Sequence, residues 1–478
     1  MKHVVWLALI GCHQIAPAGD GIDASVPADG SLTIDARTDA ARPDAPTGCS
    51  AVSGTAIDHS LAVTDPVVLA RFPFSRVMQQ IVDTGAPGQS ATATYQQWMS
   101  TFGPSDCADP SIDPDHFGEA CPRLPEFKLA SIDPMDPASP VQLLPVAVFD
   151  RFDLAPSDGS SCGEHRIIYA MQSSDPNIGG RGFYIFEASL PNPDPVHGLA
   201  GCLPIAEFWQ GLSKLETSTE LADALERFYF LGTAIPGVPA VVAATHYGAA
   251  LPNGTRRPGQ IRTNMFIDNA SWHLREFKLS APCLGAPGCT MVVQHVAVAT
   301  NPANELFDGT STKAPAFVTA FAGQVAALAA SSPTSIGMTI DGSFDEYESV
   351  SNFNAHDVLY DQQANAAITQ AVQAELTQLG STLAPADIFR RATTQTCAGC
   401  HQLSAGTEGN LGGGMSWPPS NVFTHVDEQS RLSPALTTEF LPHRKDVLEG
   451  FINSVCTNAP IARRPGLTIG GSRVGADN

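Results

Sequence analysis

Lysine is scarce in this chain: there are six in 478 residues, within 26 basic residues set against 48 acidic ones, for a formal charge of -22. That balance argues against nucleic acid as a partner, because a phosphate backbone is held by clustered Lys and Arg that displace its counterions. No run reaches the ~18 apolar residues that a membrane-spanning helix needs, and the longest, Ala316 to Ala330, reads as a buried helix. The common catalytic signatures are missing too: there is no G-x-S-x-G elbow, H-E-x-x-H, phosphate loop or G-x-G-x-x-G. No internal repeat is visible. With 43% hydrophobic and 15% charged residues, the composition is that of a folded chain with room for two or three domains of ~150 residues.

The first residues, Met1-Lys2-His3, precede an apolar stretch from Val4 to Ile10 and then Gly11-Cys12. This is the pattern of a short export signal, residues 1–11. Leu9-Ile10-Gly11-Cys12 resembles the bacterial lipobox, and the resemblance implies cleavage before Cys12, lipidation of its thiol and attachment to the envelope on the periplasmic or outer-membrane side. Lipid on one cysteine anchors a protein without any segment spanning the bilayer. The following stretch to Gly48 holds six Asp, two Arg and no Lys. It cannot bury enough apolar surface to fold, so residues 12–48 are expected to form a lipidated Cys and a disordered Asp/Ala/Pro tether.

From 49 to 383 the sequence predicts an α+β body built on an antiparallel sheet with packed helices. The segments His165–Met171, Gly182–Leu190, Gly259–Ile267, Trp272–Leu279 and Thr290–Thr300 are rich in β-branched and aromatic residues and bounded by Gly, Pro and Asn. Ile267 to Trp272 is short enough for a hairpin link. Helical spacing appears in Glu216–Tyr229, Phe317–Ala330 and Asp361–Leu379. His246, Arg262, Asn264, His273, Arg275 and Glu276 either line a pocket or face outward as ordinary strand residues. Asp106, Asp109, Asp113 and Asp115 crowd one loop, which either binds Ca²⁺ or is a solvated acidic loop without EF-hand spacing.

The strongest chemical signal is Cys397-Ala398-Gly399-Cys400-His401. This C-x-x-C-H spacing lets two thiols reach the two vinyl groups of one haem while the adjacent His binds iron. Random placement of the chain's Cys and His would produce ~0.007 such motifs, which makes coincidence a poor explanation. A structural Zn²⁺ site wants a fourth ligand and usually a second C-x-x-C, and a thioredoxin-like pair wants a βαβ setting. Pro385–Gln395 and His443–Cys456 read as amphipathic helices flanking the motif. The arrangement resembles a small class I cytochrome c, which implies an all-α haem domain over 384–458, with 459–478 a flexible tail and one covalent haem c as cofactor. For the sixth iron position the preferred candidate is His425, then Met415 in the Gly-rich loop, then an open or water-bound site; His443 begins the last helix, which in that fold packs beside the haem and does not cap it.

The strings Phe149-Asp150-Arg151-Phe152-Asp153-Leu154-Ala155-Pro156 and Cys162-Gly163-Glu164-His165-Arg166-Ile167-Ile168-Tyr169-Ala170, with the C-x-x-C-H and Phe423-Thr424-His425-Val426, resemble a group of myxobacterial lipoproteins. That resemblance implies location and architecture and carries no mechanism.

Eleven cysteines remain to be placed. Setting aside Cys12, Cys397 and Cys400 leaves eight, an even number in a chain that reads as exported, so four disulfides are expected. Proximity favours Cys107 with Cys121, Cys162 with Cys202 and Cys283 with Cys289; Cys49 and Cys456 pair by elimination. The leading functional expectation is an envelope lipoprotein whose haem transfers single electrons with a redox partner protein or a quinone-linked chain. The alternatives are a haem-dependent oxidoreductase with a substrate pocket in the α+β body, and a surface ligand-binding lipoprotein with a structural or sensory haem.

Overall fold

Among the described residues seven strands form one antiparallel sheet in the order β1-β2-β3-β4-β5-β6-β7, so each strand pairs with its neighbours in the chain. They are β1 (Ala62–Val63), β2 (Val141–Arg151), β3 (Ser161–Ser173), β4 (Gly180–Pro191), β5 (Gln260–Ile267), β6 (His273–Ser280) and β7 (Val292–Val296). The computed structural model describes residues 49–105, 122–249, 258–268, 270, 272–280, 285–296, 302–341, 343–344, 360–397, 399–401 and 409–461. The helices that matter below are α1 (Phe74–Gly85), α2 (Ala91–Ser100), α3 (Leu203–Leu212), α4 (Ser218–Glu226), α5 (Ala314–Ala322), α6 (Ala366–Gln378), α7 (Pro385–Thr393) and α8 (Leu441–Cys456).

Because successive side chains of a strand point to opposite faces, the sheet has two unlike surfaces. One is aromatic and covered by α1 and α2. Phe74 of α1 meets Tyr169 edge-on, and Trp98 of α2 packs against Tyr184, Phe186 and Phe277. The other face carries, across matched positions, Phe149↔Arg166, Arg166↔Glu187, Ile185↔Arg262 and Asn264↔Leu274. Charged groups in the middle of a sheet need a covering layer that leaves them partners, and the C-terminal part of the chain supplies it.

That layer explains why the expected division at residue 384 differs from the structure, in which the described residues belong to one compact unit. Arg391 of α7, 2% exposed, donates to the carbonyls of Leu328, Ala330, Leu411 and Gly412. Asn453 of α8 bonds both the N–H and the carbonyl of Val52, and Glu449 accepts from Thr55 N–H. Disulfides join Cys49 to Cys456 and Cys162 to Cys202. Cys289 is also disulfide-bonded; Cys283 lies outside the described residues, as do Cys107, Cys121, Cys12, the tether, the four-Asp loop and residues 462–478. Helix α7 packs against α6 and α8 against α3, a different arrangement from the crossed terminal helices of a class I cytochrome c. Among the described residues no helix is long and apolar enough to cross a membrane.

Candidate haem site

The C-x-x-C-H motif begins where α7 ends. Thr396 acts as a cap for its turn, with Oγ1 accepting from Gly399 N–H at 2.9 Å and the Thr396 carbonyl accepting from Cys400 N–H at 3.0 Å. The turn lies so close to α7 that a Cβ at position 399 would sit 2.0 Å from the Thr393 carbonyl oxygen, so only glycine fits there. Cys397 and Cys400 are both buried and neither is in a disulfide, whereas the other described cysteines are. Burial pushes the Cys400 thiol up to about 12, with the neighbouring Cys397 adding to the rise.

His401 donates from Nδ1 to the carbonyl of Phe423 at 2.8 Å. That bond fixes the tautomer and leaves the imidazole lone pair on Nε2, as in metal-binding histidines whose second nitrogen is held by a carbonyl. Burial pulls the His401 pKa down to about 4, so the ring is neutral. The loop presenting the carbonyl is unusual: Val422 and Phe423, consecutive and neither glycine, have φ of +54° and +61°. Such left-handed residues cost energy and persist where surrounding contacts hold them. Arg181 of β4 is that contact, donating to Val422 O (2.8 Å), Thr424 Oγ1 (3.2 Å) and the Glu428 carboxylate (2.6 and 3.2 Å).

The same loop carries His425, whose ring centroid is 5.2 Å from that of His401. Its Nδ1 is hydrogen-bonded to Ser433 Oγ at 3.1 Å, and its Nε2 lies 3.8 Å from Cys400 Sγ. Burial drives its pKa well below the ordinary histidine value.

Cys397, Cys400, His401 and His425 open onto one cavity of about 130 Å³, whose opposite wall is the charged face of the sheet. Phe149, Ile168, Phe183, Ile185 and Leu274 of the sheet, with Phe440, give it apolar lining. Arg151, Arg166, Arg262 and Arg444 bring four cations to the same space. Three of them are closely paired: Arg151 with Asp153 (2.9 Å), Arg166 with Glu164 (2.5 Å) and Glu187 (2.9 Å), and Arg262 with Glu187 (3.2 Å) and Glu276 (2.7 Å). Arg444, on α8, reaches only to 3.8 Å from Asp153. Burial and the charges of Arg151 and Arg166 pull its pKa down to about 9. A second acceptor of charge near Arg444 would relieve that cost.

No family model matches this chain. No curated protein and no solved structure matches it either. The site is therefore read from its own geometry.

The sequence-derived candidates separate clearly. His425 lines the cavity, and Met415 is not among its lining residues; the Met415 backbone instead closes a turn with Leu411 and Gly412. His443 lines a different pocket with Glu439 and Asp446. Arg262 and Asn264 face the cavity, and Glu276 is bonded to Arg262. His246 bonds the Val241 carbonyl, and Arg275 lies on the opposite face, donating to Thr101 O with its guanidinium 4.3 Å over the Phe102 ring. Arg151, Arg166, Glu187, Arg444 and the Phe423 carbonyl have no counterpart among the sequence expectations. Alternation along β2 and β3 was the available signal for the first two.

Proposed function

We propose that this cavity holds one covalent c-type haem, attached through Cys397 and Cys400 with His401 as iron ligand, in a protein that carries single electrons. The observation that carries the reading is the pairing of two buried cysteines outside any disulfide with an adjacent histidine whose Nδ1 proton is already committed to a carbonyl. Among the described cysteines the others are in disulfides, whereas these two sulfurs line a shared cavity. The cavity fits the group chemically: apolar side chains would flank the ring, and Arg444 with Arg151 would take its carboxylates. When bound, haem supplies a one-electron iron couple whose potential depends on axial ligand, burial and hydrogen bonding.

Zn²⁺ is less well supported. A zinc ion draws its ligands to 2.0–2.3 Å, so they crowd one point. Among the described residues the His/Cys/Asp/Glu group with donor atoms within 4.8 Å of one another is Cys49, Glu207 and Cys456, and the two sulfurs there are joined to each other rather than available as thiolates.

His425 is the preferred sixth ligand because it shares the cavity, and two nitrogen ligands would leave no open iron position, which favours a carrier over an oxidoreductase. Val422, 63% exposed, adjoins Phe423 and gives a redox partner protein or quinone-linked chain an apolar approach to the His401 side. The lipobox resemblance of Leu9-Ile10-Gly11-Cys12 supports an envelope location through a lipid on Cys12. Haem staining after denaturing electrophoresis, with a pyridine haemochrome spectrum of protein made alongside a cytochrome c maturation system, tests the central assignment.

A further inference from the structure

The carbonyl that orients His401 is shared by a second donor. Asn264 of β5 donates from Nδ2 to the same Phe423 oxygen at 3.0 Å. The other end of that amide, Oδ1, accepts from Trp272 Nε1 at 2.7 Å. An indole N–H can only donate, so it holds the amide one way round, with oxygen toward Trp272 and NH₂ toward Phe423. Asn264 is 2% and Trp272 1% exposed, and the Trp272 ring lies beside both His401 and Phe423, at centroid distances of 5.5 and 5.6 Å. The result is a fixed chain of donors, Trp272 to Asn264 to the Phe423 carbonyl, meeting His401 from the other side.

An oxygen accepting two hydrogen bonds pulls less on each proton than one accepting a single bond. The Asn264 amide therefore limits how much anionic character His401 gains through Nδ1. We infer that Asn264, oriented by Trp272, is a positioning residue that tunes His401 and so raises the reduction potential of the iron it ligates. The inference rests on the haem reading. The couple concerned is the one-electron ferric/ferrous pair, with the electron supplied by the external donor used to titrate it. A more anionic imidazole favours the ferric state; the shared carbonyl works against this.

The test is a spectroelectrochemical titration of the full-length haem-loaded protein, wild type beside Asn264→Leu and Trp272→Phe, with a pyridine haemochrome on each. The expected result is a midpoint potential lower in both variants, and lower in Asn264→Leu than in Trp272→Phe. The sign discriminates, because merely replacing a polar amide by an apolar side chain at the cavity wall would disfavour the charged ferric state and raise the potential. A rise, or no shift, in a loaded variant overturns the inference and leaves the haem assignment standing. A wild-type protein with no haemochrome removes both. Amide exchange in the wild type guards against variants that do not load: one Asn264 side-chain proton should be protected, and free exchange of both would contradict the inference.

Discussion

His401 gives its Nδ1 proton to the carbonyl of Phe423 across 2.8 Å, and Phe423 offers that carbonyl from a loop in which it and Val422 both hold left-handed backbone conformations. The histidine of the motif is thus oriented by a loop under strain, and the loop is held by Arg181.

Arg181→Gln should therefore release the loop. Its bonds are to charged and polar groups, worth about 1.5–3 kcal/mol where a charge is involved, but the side chain is 28% exposed and solvent screening reduces that. The expected loss is about 1–2 kcal/mol in denaturant unfolding, together with heterogeneous iron-ligand spectra from a loosened His401. Unchanged stability with a single sharp spectrum would show that the loop holds itself.

Gly399→Ala should abolish attachment at the motif, because the new Cβ would fall 2.0 Å from the Thr393 carbonyl. The measurement is the haem-to-protein ratio after coexpression with a maturation system. A ratio equal to wild type would mean that the turn after α7 is looser than described.

Asp153 supplies an acid-sensitive link between the sheet and α8. Burial raises its pKa, but the Arg151 and Arg444 charges outweigh this and leave it lowered to about 2. A carboxylate depressed in the folded state stabilises above its unfolded value of ~3.9, and that contribution is lost as pH falls toward 2. It amounts to about 2–3 kcal/mol. Asp153→Asn should cost more at neutral pH, about 3–5 kcal/mol, by leaving buried arginines unpaired, and should flatten the acid limb of the stability curve. An unchanged acid limb would assign it to other carboxylates.

The sixth ligand can be read from absorption. A methionine–iron bond gives a weak red band in the oxidised protein. The geometry predicts no such band in the wild type and a changed spectrum in His425→Ala, with Met415→Ala unaffected. A band present in the wild type and lost only in Met415→Ala would sink the His425 assignment.

Much of the sheet was legible. Alternating aromatic and β-branched residues marked β3 to β7 within a few positions, and the Ile267–Trp272 link was short enough to imply the β5–β6 hairpin. Strand β2 escaped because Pro145 interrupts it, and the pairing register indeed shifts between Pro145 and Ala147. Helix α1 has no counterpart among the expectations although Val77, Met78, Ile81 and Val82 recur at helical spacing and are buried. The motif itself was plain from five consecutive residues, but its cavity was not. Phe149 and Arg262 come to the cavity of His401 only after elements more than a hundred residues apart have packed, and no local pattern encodes that meeting. For the same reason the C-terminal segment read as a free-standing haem domain, whereas one wall of its cavity belongs to the sheet.

The central claim is tested most directly by the haem content of the purified full-length protein made with a cytochrome c maturation system. The account predicts one haem per chain by pyridine haemochrome, retained through denaturing electrophoresis and absent from the Cys397→Ala, Cys400→Ala double variant. A folded wild-type protein that never stains, or a double variant that stains as strongly as the wild type, would contradict it.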